Sequence, residues 1–461
     1  MKSSNAYLKY VDMELNPDPE KYVIASYLVQ KAPTSRLEGL AFLGAIAAES
    51  STGTWIDVQT NTQTANKVAG KVFYYCEEKE LAQIAYPLDL FEPKNLSQLL
   101  TVLAGNAFGL ADIQKLKLMD ISLPSSYLKT FKGPKYGIEG VYQKLNLSQK
   151  HPIIGSIIKP KCGLTVEEHA QVCYDAWIGM AKEDGLDGVD MVKDDEALTH
   201  QEAFQCGFYK RMEFVFQVLR KAEDETGKKK IYIPNITSSN ILESLRRAEY
   251  VKNLGGDAVM IDYVMGGGTL LHTLREADMD LIIHGHRTLF AALHRSKDFG
   301  INYLVWAKLF RMIGGDQVHS GTPAIGVMSA IPSAIINICN ALRNEKYTPQ
   351  NKEEGYLPQD FSGIKPVLPI CGAGLDPLTT PNLTRILGNS LIIFAGGGIH
   401  GHPQGTKAGA ASLRASIEAL SQEITIQDFS KKSDFPWLTV AINFFQKFDK
   451  QSPNSAAREN L

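Results

Sequence analysis

From about residue 150 onward, short apolar runs recur along the chain, each followed by a turn and a stretch of helical spacing. They occupy residues 152–158, 186–192, 230–236, 257–262, 279–284, 315–319, 366–371 and 390–395. Runs of this length bounded by turn residues read as buried strands, and the amphipathic stretches between them as helices. In the stretch 212–224, Phe214, Val218 and Lys221 continue a 3.6-residue spacing until Gly227 stops the helix. Eight strand–helix units suit a closed (β/α)8 TIM barrel better than an open sheet. Residues 1 to about 135 mix strand-like runs (22–29, 68–76) with helical ones (37–48, 95–104) in no regular alternation. Beyond about 410 come helical stretches (411–423, 436–447) and a polar tail, 451–461. The expected organisation is α/β: an α+β domain over 1–135, then a barrel with C-terminal helices over 136–461.

A barrel of this kind carries its active site at the C-terminal ends of its strands. The polar residues expected there are Lys159 and Lys161, then Lys193, Asp195 and Glu196, Asn235, His286 and Arg287, and His319. Two glycine-rich turns follow, Gly372-Ala373-Gly374 and Gly396-Gly397-Gly398. Composition adds mainly exclusions. A net charge of −2 argues against nucleic acid or an anionic membrane as partner. The six cysteines show no C-x-x-C pair or zinc spacing and read as reduced thiols. With no apolar leader and no uncharged apolar run of about 18 residues, a cytoplasmic protein is expected.

The densest chemistry lies in Met191-Val192-Lys193-Asp194-Asp195-Glu196. On a strand Lys193 and Asp195 share one face, and Glu196 joins them only if the strand stops there. Three acids around one lysine read most simply as a paired surface cluster. A second lysine-ended run, Gly155-Ser156-Ile157-Ile158-Lys159-Pro160-Lys161-Cys162-Gly163-Leu164, changes that weighting. Together the two resemble the RuBisCO large-subunit superfamily.

The resemblance runs from about residue 22 to about 425. It implies that Lys193 captures CO2 as a carbamate, which binds one Mg²⁺ with Asp195 and Glu196. Such a metal wants about six oxygens and would leave positions open for a substrate's two vicinal oxygens. It further implies catalytic roles for Lys159, Lys161 and His286, and phosphate or substrate contacts from Arg287, His319, Gly374, Gly396 and Gly397. The segment Glu49-Ser50-Ser51-Thr52-Gly53-Thr54-Trp55 resembles the one by which a family subunit reaches into its partner's active site. Asn106, in Gly105-Asn106-Ala107-Phe108-Gly109, matches a second cross-subunit contact. Glu49, Thr54, Trp55 and Asn106 therefore imply a homodimer or a dimer-based oligomer.

Four positions depart from the family pattern. Val327 stands where the mobile loop carries the lysine that polarises CO2, and Ile157, Phe290 and Gly372 replace a Thr, a His and a Ser. A valine cannot supply the cation that a developing carboxylate needs. The expectation is therefore a RuBisCO-like protein (form IV): a Mg²⁺-dependent enolising isomerase, enolase or decarboxylase acting on a phosphorylated ketose, without carboxylation. Asn106, where the salvage enolase has a lysine, and the intact Lys159-Pro160-Lys161 argue against the enolase. The alternatives are a divergent ribulose 1,5-bisphosphate carboxylase and a non-catalytic regulatory descendant.

Overall fold

The computed structural model describes residues 2–326, 328, 330–350 and 354–451 of the 461. Val327 and the last ten residues of the polar tail, 452–461, lie outside the described residues. The chain forms two compact units. The first combines 1–133 with two later segments, 289–313 and 344–364, and the second holds 134–288, 314–343 and 365–461.

In the first unit a five-stranded sheet runs in the order Phe299–Ile301, Ile113–Ser122, Tyr22–Lys31, Leu81–Pro87, Lys71–Cys76. The helix Ala41–Glu49 is buried over nearly its whole length. Its later segments are tied in by Lys308. That buried ammonium donates to the Asp120 carboxylate at 2.8 Å and to the carbonyls of Ile121 and Leu357 at 2.8 and 3.1 Å. The strands Leu81–Pro87 and Ile113–Ser122 were not anticipated from the sequence.

The second unit is the expected barrel. Its eight parallel strands are Ile153–Ile157, Met191–Lys193, Ile231–Ile233, Ala258–Asp262, Ile282–His286, Gln317–His319, Leu368–Gly372 and Ile392–Ala395. The edge strands Ile231–Ile233 and Ala258–Asp262 meet through a parallel bridge between Asn235 and Met260, which nearly closes the ring. Each strand matches one apolar run in the sequence. Alternation fixes what faces inward. Ile153, Met191, Ile231, Ile282, Leu368 and Ile392 fill the lower barrel, and Ile138, Val141, Tyr142 and Leu145 from Gly137–Lys144 and its end close that core. Two or four residues further along, the same inward faces end in Lys193, Asp262, His286, His319 and Gly372. Gly155 is required by close packing, because a Cβ there would overlap the Phe394 ring. The packed floor thus leaves the C-terminal mouth as the polar end.

One helical face is corrected. The helix spans Phe208–Thr226 and ends at Gly227, whose φ is 64°. Its buried stripe is Met212, Val215, Phe216, Leu219 and Ala222, whereas Phe214 and Val218 are only half-buried and Lys221 is exposed. The expected stripe lay about a third of a turn away from the real one. No helix among the described residues is long and apolar enough to cross a membrane, and the six cysteines are free.

Candidate active site

Lys193 ends the second barrel strand, and its side chain is wholly buried. The surface-cluster reading is therefore wrong for this motif: Asp194 and Asp195 are buried as well. Lys193 Nζ donates to the Asp194 carbonyl at 2.8 Å and lies 3.3 Å from Met260 Sδ. Burial pushes its ammonium down to about 8 from the usual 10.5, against the opposing pull of Asp195, Glu196, Asp262 and Asp194. A buried lysine beside carboxylates yet easily deprotonated is a nucleophilic amine.

The acids are held by the other two lysines. Lys159 Nζ forms an ion pair with Asp195 Oδ2. Lys161 Nζ reaches Glu196 Oε1 at 2.6 Å and Asp195 Oδ1 at 3.5 Å. Burial opposes the charge on Glu196, but the hydrogen bond it accepts from the Lys161 ammonium helps hold its carboxyl well below the usual range. Across the mouth, His286 Nε2 lies 3.8 Å from Glu196 Oε2 and Nδ1 lies 3.7 Å from Asp262 Oδ1. Burial and the nearby cations keep His286 and His319 neutral, well below ordinary histidine values. Their rings are 4.8 Å apart. Arg287 donates to the Ser320 carbonyl at 3.1 Å, so the fifth strand's end is tied to the loop after the sixth. A Cβ on Gly396 would lie 3.0 Å from Lys159 Cε, so the glycine's backbone passes close beside that lysine.

The barrel mouth therefore gathers Lys159, Lys161, Lys193, Asp195, Glu196, His286 and His319 within reach of one another. Gly374 follows the seventh strand with φ 76°, and Gly396 and Gly397 begin the turn after the eighth. Glu49, Thr54, Trp55 and Asn106 belong to the first unit, where Glu49, Trp55 and Asn106 are exposed. Phe290 also falls in the first unit, at the start of Phe290–His294.

Asp262 was missed as a site residue. It ends the fourth strand, is buried, and its Oδ1 has no hydrogen-bond donor. Burial raises its carboxyl to about 6, while Asn235 donates to the other oxygen at 3.3 Å. The signal was available, since a carboxylate closing an apolar run stands at the same edge as the others. Among the described residues no three His, Cys, Asp or Glu side chains form a ready-made metal cluster. The donor set nevertheless fits Mg²⁺. Asp195 and Glu196 supply hard oxygens, the third ligand would exist only once Lys193 became an oxygen anion, and Asp262 Oδ1 is an orphaned acceptor nearby.

Known proteins place this site in context. The ribulose bisphosphate carboxylase large-chain catalytic domain matches residues 137–445, and the N-terminal domain of that chain matches 9–127. A ribulose bisphosphate carboxylase of Methanocaldococcus jannaschii is 42% identical, covering 94% of this chain and 99% of its own. One from Archaeoglobus fulgidus is 36% identical over 98% of this chain and 100% of its own. Among solved structures, a dimeric archaeal Rubisco from Hyperthermus butylicus has a TM-score of 0.87 at 35% identity, covering 95% of this chain and 99% of its own. An octameric Rubisco from Pyrococcus horikoshii has a TM-score of 0.84 at 36% identity, covering 95% and 96%.

These relatives overturn the expectation of a non-carboxylating enolising isomerase or lyase, and they lend no support to the form IV assignment. That expectation rested on four positions, whereas likeness to proteins named as carboxylases extends over almost the whole length. The substitution at Val327 remains a fact of the sequence, but a single position weighs less than likeness along almost the whole chain. The chain belongs to the ribulose bisphosphate carboxylase large-chain family.

Proposed function

We propose that this protein carboxylates ribulose 1,5-bisphosphate, using Mg²⁺ held by carbamylated Lys193, Asp195 and Glu196. The observation that carries the reading is the buried, readily deprotonated Lys193 amine beside two acids, in a chain 42% identical to a carboxylase. When bound, Mg²⁺ would supply Lewis acidity for proton loss beside the ketose carbonyl. The chain's own groups do the rest. Lys159 and Lys161 exchange their present carboxylate partners for substrate oxygens. Neutral His286 donates to or accepts from the same oxygens. Arg287, His319 and the amides at Gly374, Gly396 and Gly397 hold the two phosphates. The active unit is a homodimer or a dimer-based oligomer, supported by the dimeric and octameric neighbours. In it Glu49, Thr54, Trp55 and Asn106 serve the partner's barrel.

The departures at Val327, Ile157, Phe290 and Gly372 set the rate of this reaction. Supplied with Mg²⁺, labelled bicarbonate and ribulose 1,5-bisphosphate, the protein is expected to fix label into acid-stable 3-phosphoglycerate. Consumption of the bisphosphate without fixed label would overturn the assignment. Val327→Lys is expected to raise the carboxylation kcat by about 10-fold or more, since one well-placed electrostatic stabiliser is commonly worth ~10²–10³-fold. An unchanged kcat would show that another group already supplies that charge.

A further inference from the structure

Asp194 lies just past the strand end at Lys193, between two residues of the mouth, yet its carboxylate has a set of partners of its own. Its carboxylate enters a closed polar cage outside the barrel. Oδ1 accepts from the Tyr232 hydroxyl and lies 3.3 Å from His169 Nε2. Oδ2 accepts from Arg211 Nη2 at 3.0 Å and from the Asn235 backbone N–H at 2.9 Å. All four side chains, Asp194, His169, Tyr232 and Arg211, are buried. Arg211 also donates to the carbonyls of Thr199 and Cys206, both at 3.0 Å, and so fixes the loop that follows Glu196. Asn235, held through its N–H, passes its own side-chain amide to the Glu196 carbonyl at 3.0 Å. The cage therefore ties the Lys193–Glu196 segment to Asn235 beyond the third strand and to the loop that follows Glu196. Its output at the mouth is the Asp194 carbonyl, which receives Lys193 Nζ at 2.8 Å.

We infer that Asp194 is a positioning residue which, clamped by Arg211, His169 and Tyr232, sets how readily Lys193 takes up CO2. The inference rests on the carbamate reading proposed above. In that step the uncharged Lys193 nitrogen bonds to the carbon of CO2. One C=O π pair moves onto oxygen as the anion, and an N–H proton leaves to solvent. The remaining N–H needs an acceptor, and the Asp194 carbonyl already stands in place for it. A strand end free to shift would lose that acceptor and the alignment of Asp195 and Glu196 together.

The test follows the carbamate itself, by the ¹³C resonance of the full-length protein titrated with ¹³CO2 and Mg²⁺. Asp194→Asn is expected to raise the half-saturating CO2 concentration about 10-fold, and Tyr232→Phe, which removes a single hydroxyl, about threefold. Lys230→Met serves as a control. Lys230 forms a buried pair with Asp187, 2.6 Å away, at the opposite ends of the second and third strands. It is expected to lower thermal stability without moving the CO2 midpoint. A Tyr232→Phe midpoint equal to wild type, or an equal shift in Lys230→Met, would overturn the inference while leaving the carbamate in place. Absence of any carbamate on the wild-type protein would remove the reading beneath it as well.

Discussion

Lys193→Met is expected to abolish carboxylation, lowering kcat/KM by at least on the order of 10³-fold, because it removes the metal's third ligand rather than adjusting it. Methionine fills much of the same buried volume, so thermal unfolding should change little by comparison. A variant with wild-type turnover would exclude the carbamate. The pH dependence gives the same prediction a sign. Only the uncharged amine reacts with CO2, and burial has brought Lys193 to about 8. About one-tenth of the amine is then free at pH 7, half at pH 8 and nine-tenths at pH 9. An ordinary lysine at 10.5 would offer only about one part in three thousand at pH 7. At fixed, limiting CO2 the initial rate of carbamate formation should therefore rise about fivefold from pH 7 to pH 8 and level off above pH 9. Activation that falls as pH rises over this window would contradict the assignment of Lys193.

The barrel was legible because its strands are short, wholly buried runs whose inward residues must be apolar up to the mouth. The first unit was less so. Ile113–Ser122 carries Lys115, Lys117 and Asp120 within a strand, and each charge has a partner the sequence does not announce. Lys117 donates to the carbonyls of His294 and Ser296 at 2.6 and 2.8 Å, and Asp120 pairs with Lys308, almost two hundred residues away. Charges satisfied at long range look like solvated ones until the chain is folded. The helix Phe208–Thr226 was found but its face was misjudged, because Phe214 and Val218 lie at the edge of a wide apolar stripe.

At the site, the motif residues were legible and their division of labour was only partly so. Period-two alternation separates Asp194 from Lys193 and Asp195, but it says nothing of what Asp194 meets. Arg211 lies 17 residues further on and Tyr232 lies 38 further on, so the cage is a tertiary fact. The reaction was misread for a different reason. A missing cation at position 327 is a local electrostatic argument, and it speaks to rate. What overturns the expectation is likeness, over almost the whole length, to proteins named as carboxylases, and no single motif shows that.

The second large effect concerns assembly. Glu49→Gln and Lys193→Met are each expected to be inactive alone, since each damages every site in its own homodimer. Mixed in one dimer they behave differently if each site takes its barrel from one chain and its Glu49 segment from the other. One hybrid site then combines the Glu49→Gln barrel, with Lys193 intact, and the unaltered Glu49 of the Lys193→Met chain. The other site carries both lesions. A purified heterodimer should thus recover about half of the wild-type activity. A random mixture, about half of it heterodimer, should recover about a quarter. Recovery needs subunit exchange, so differently tagged chains co-expressed and isolated by both tags give the clean measurement. Verified heterodimers without activity would place Glu49 in the same chain's site and would remove the reason for expecting a dimer to be the smallest active form.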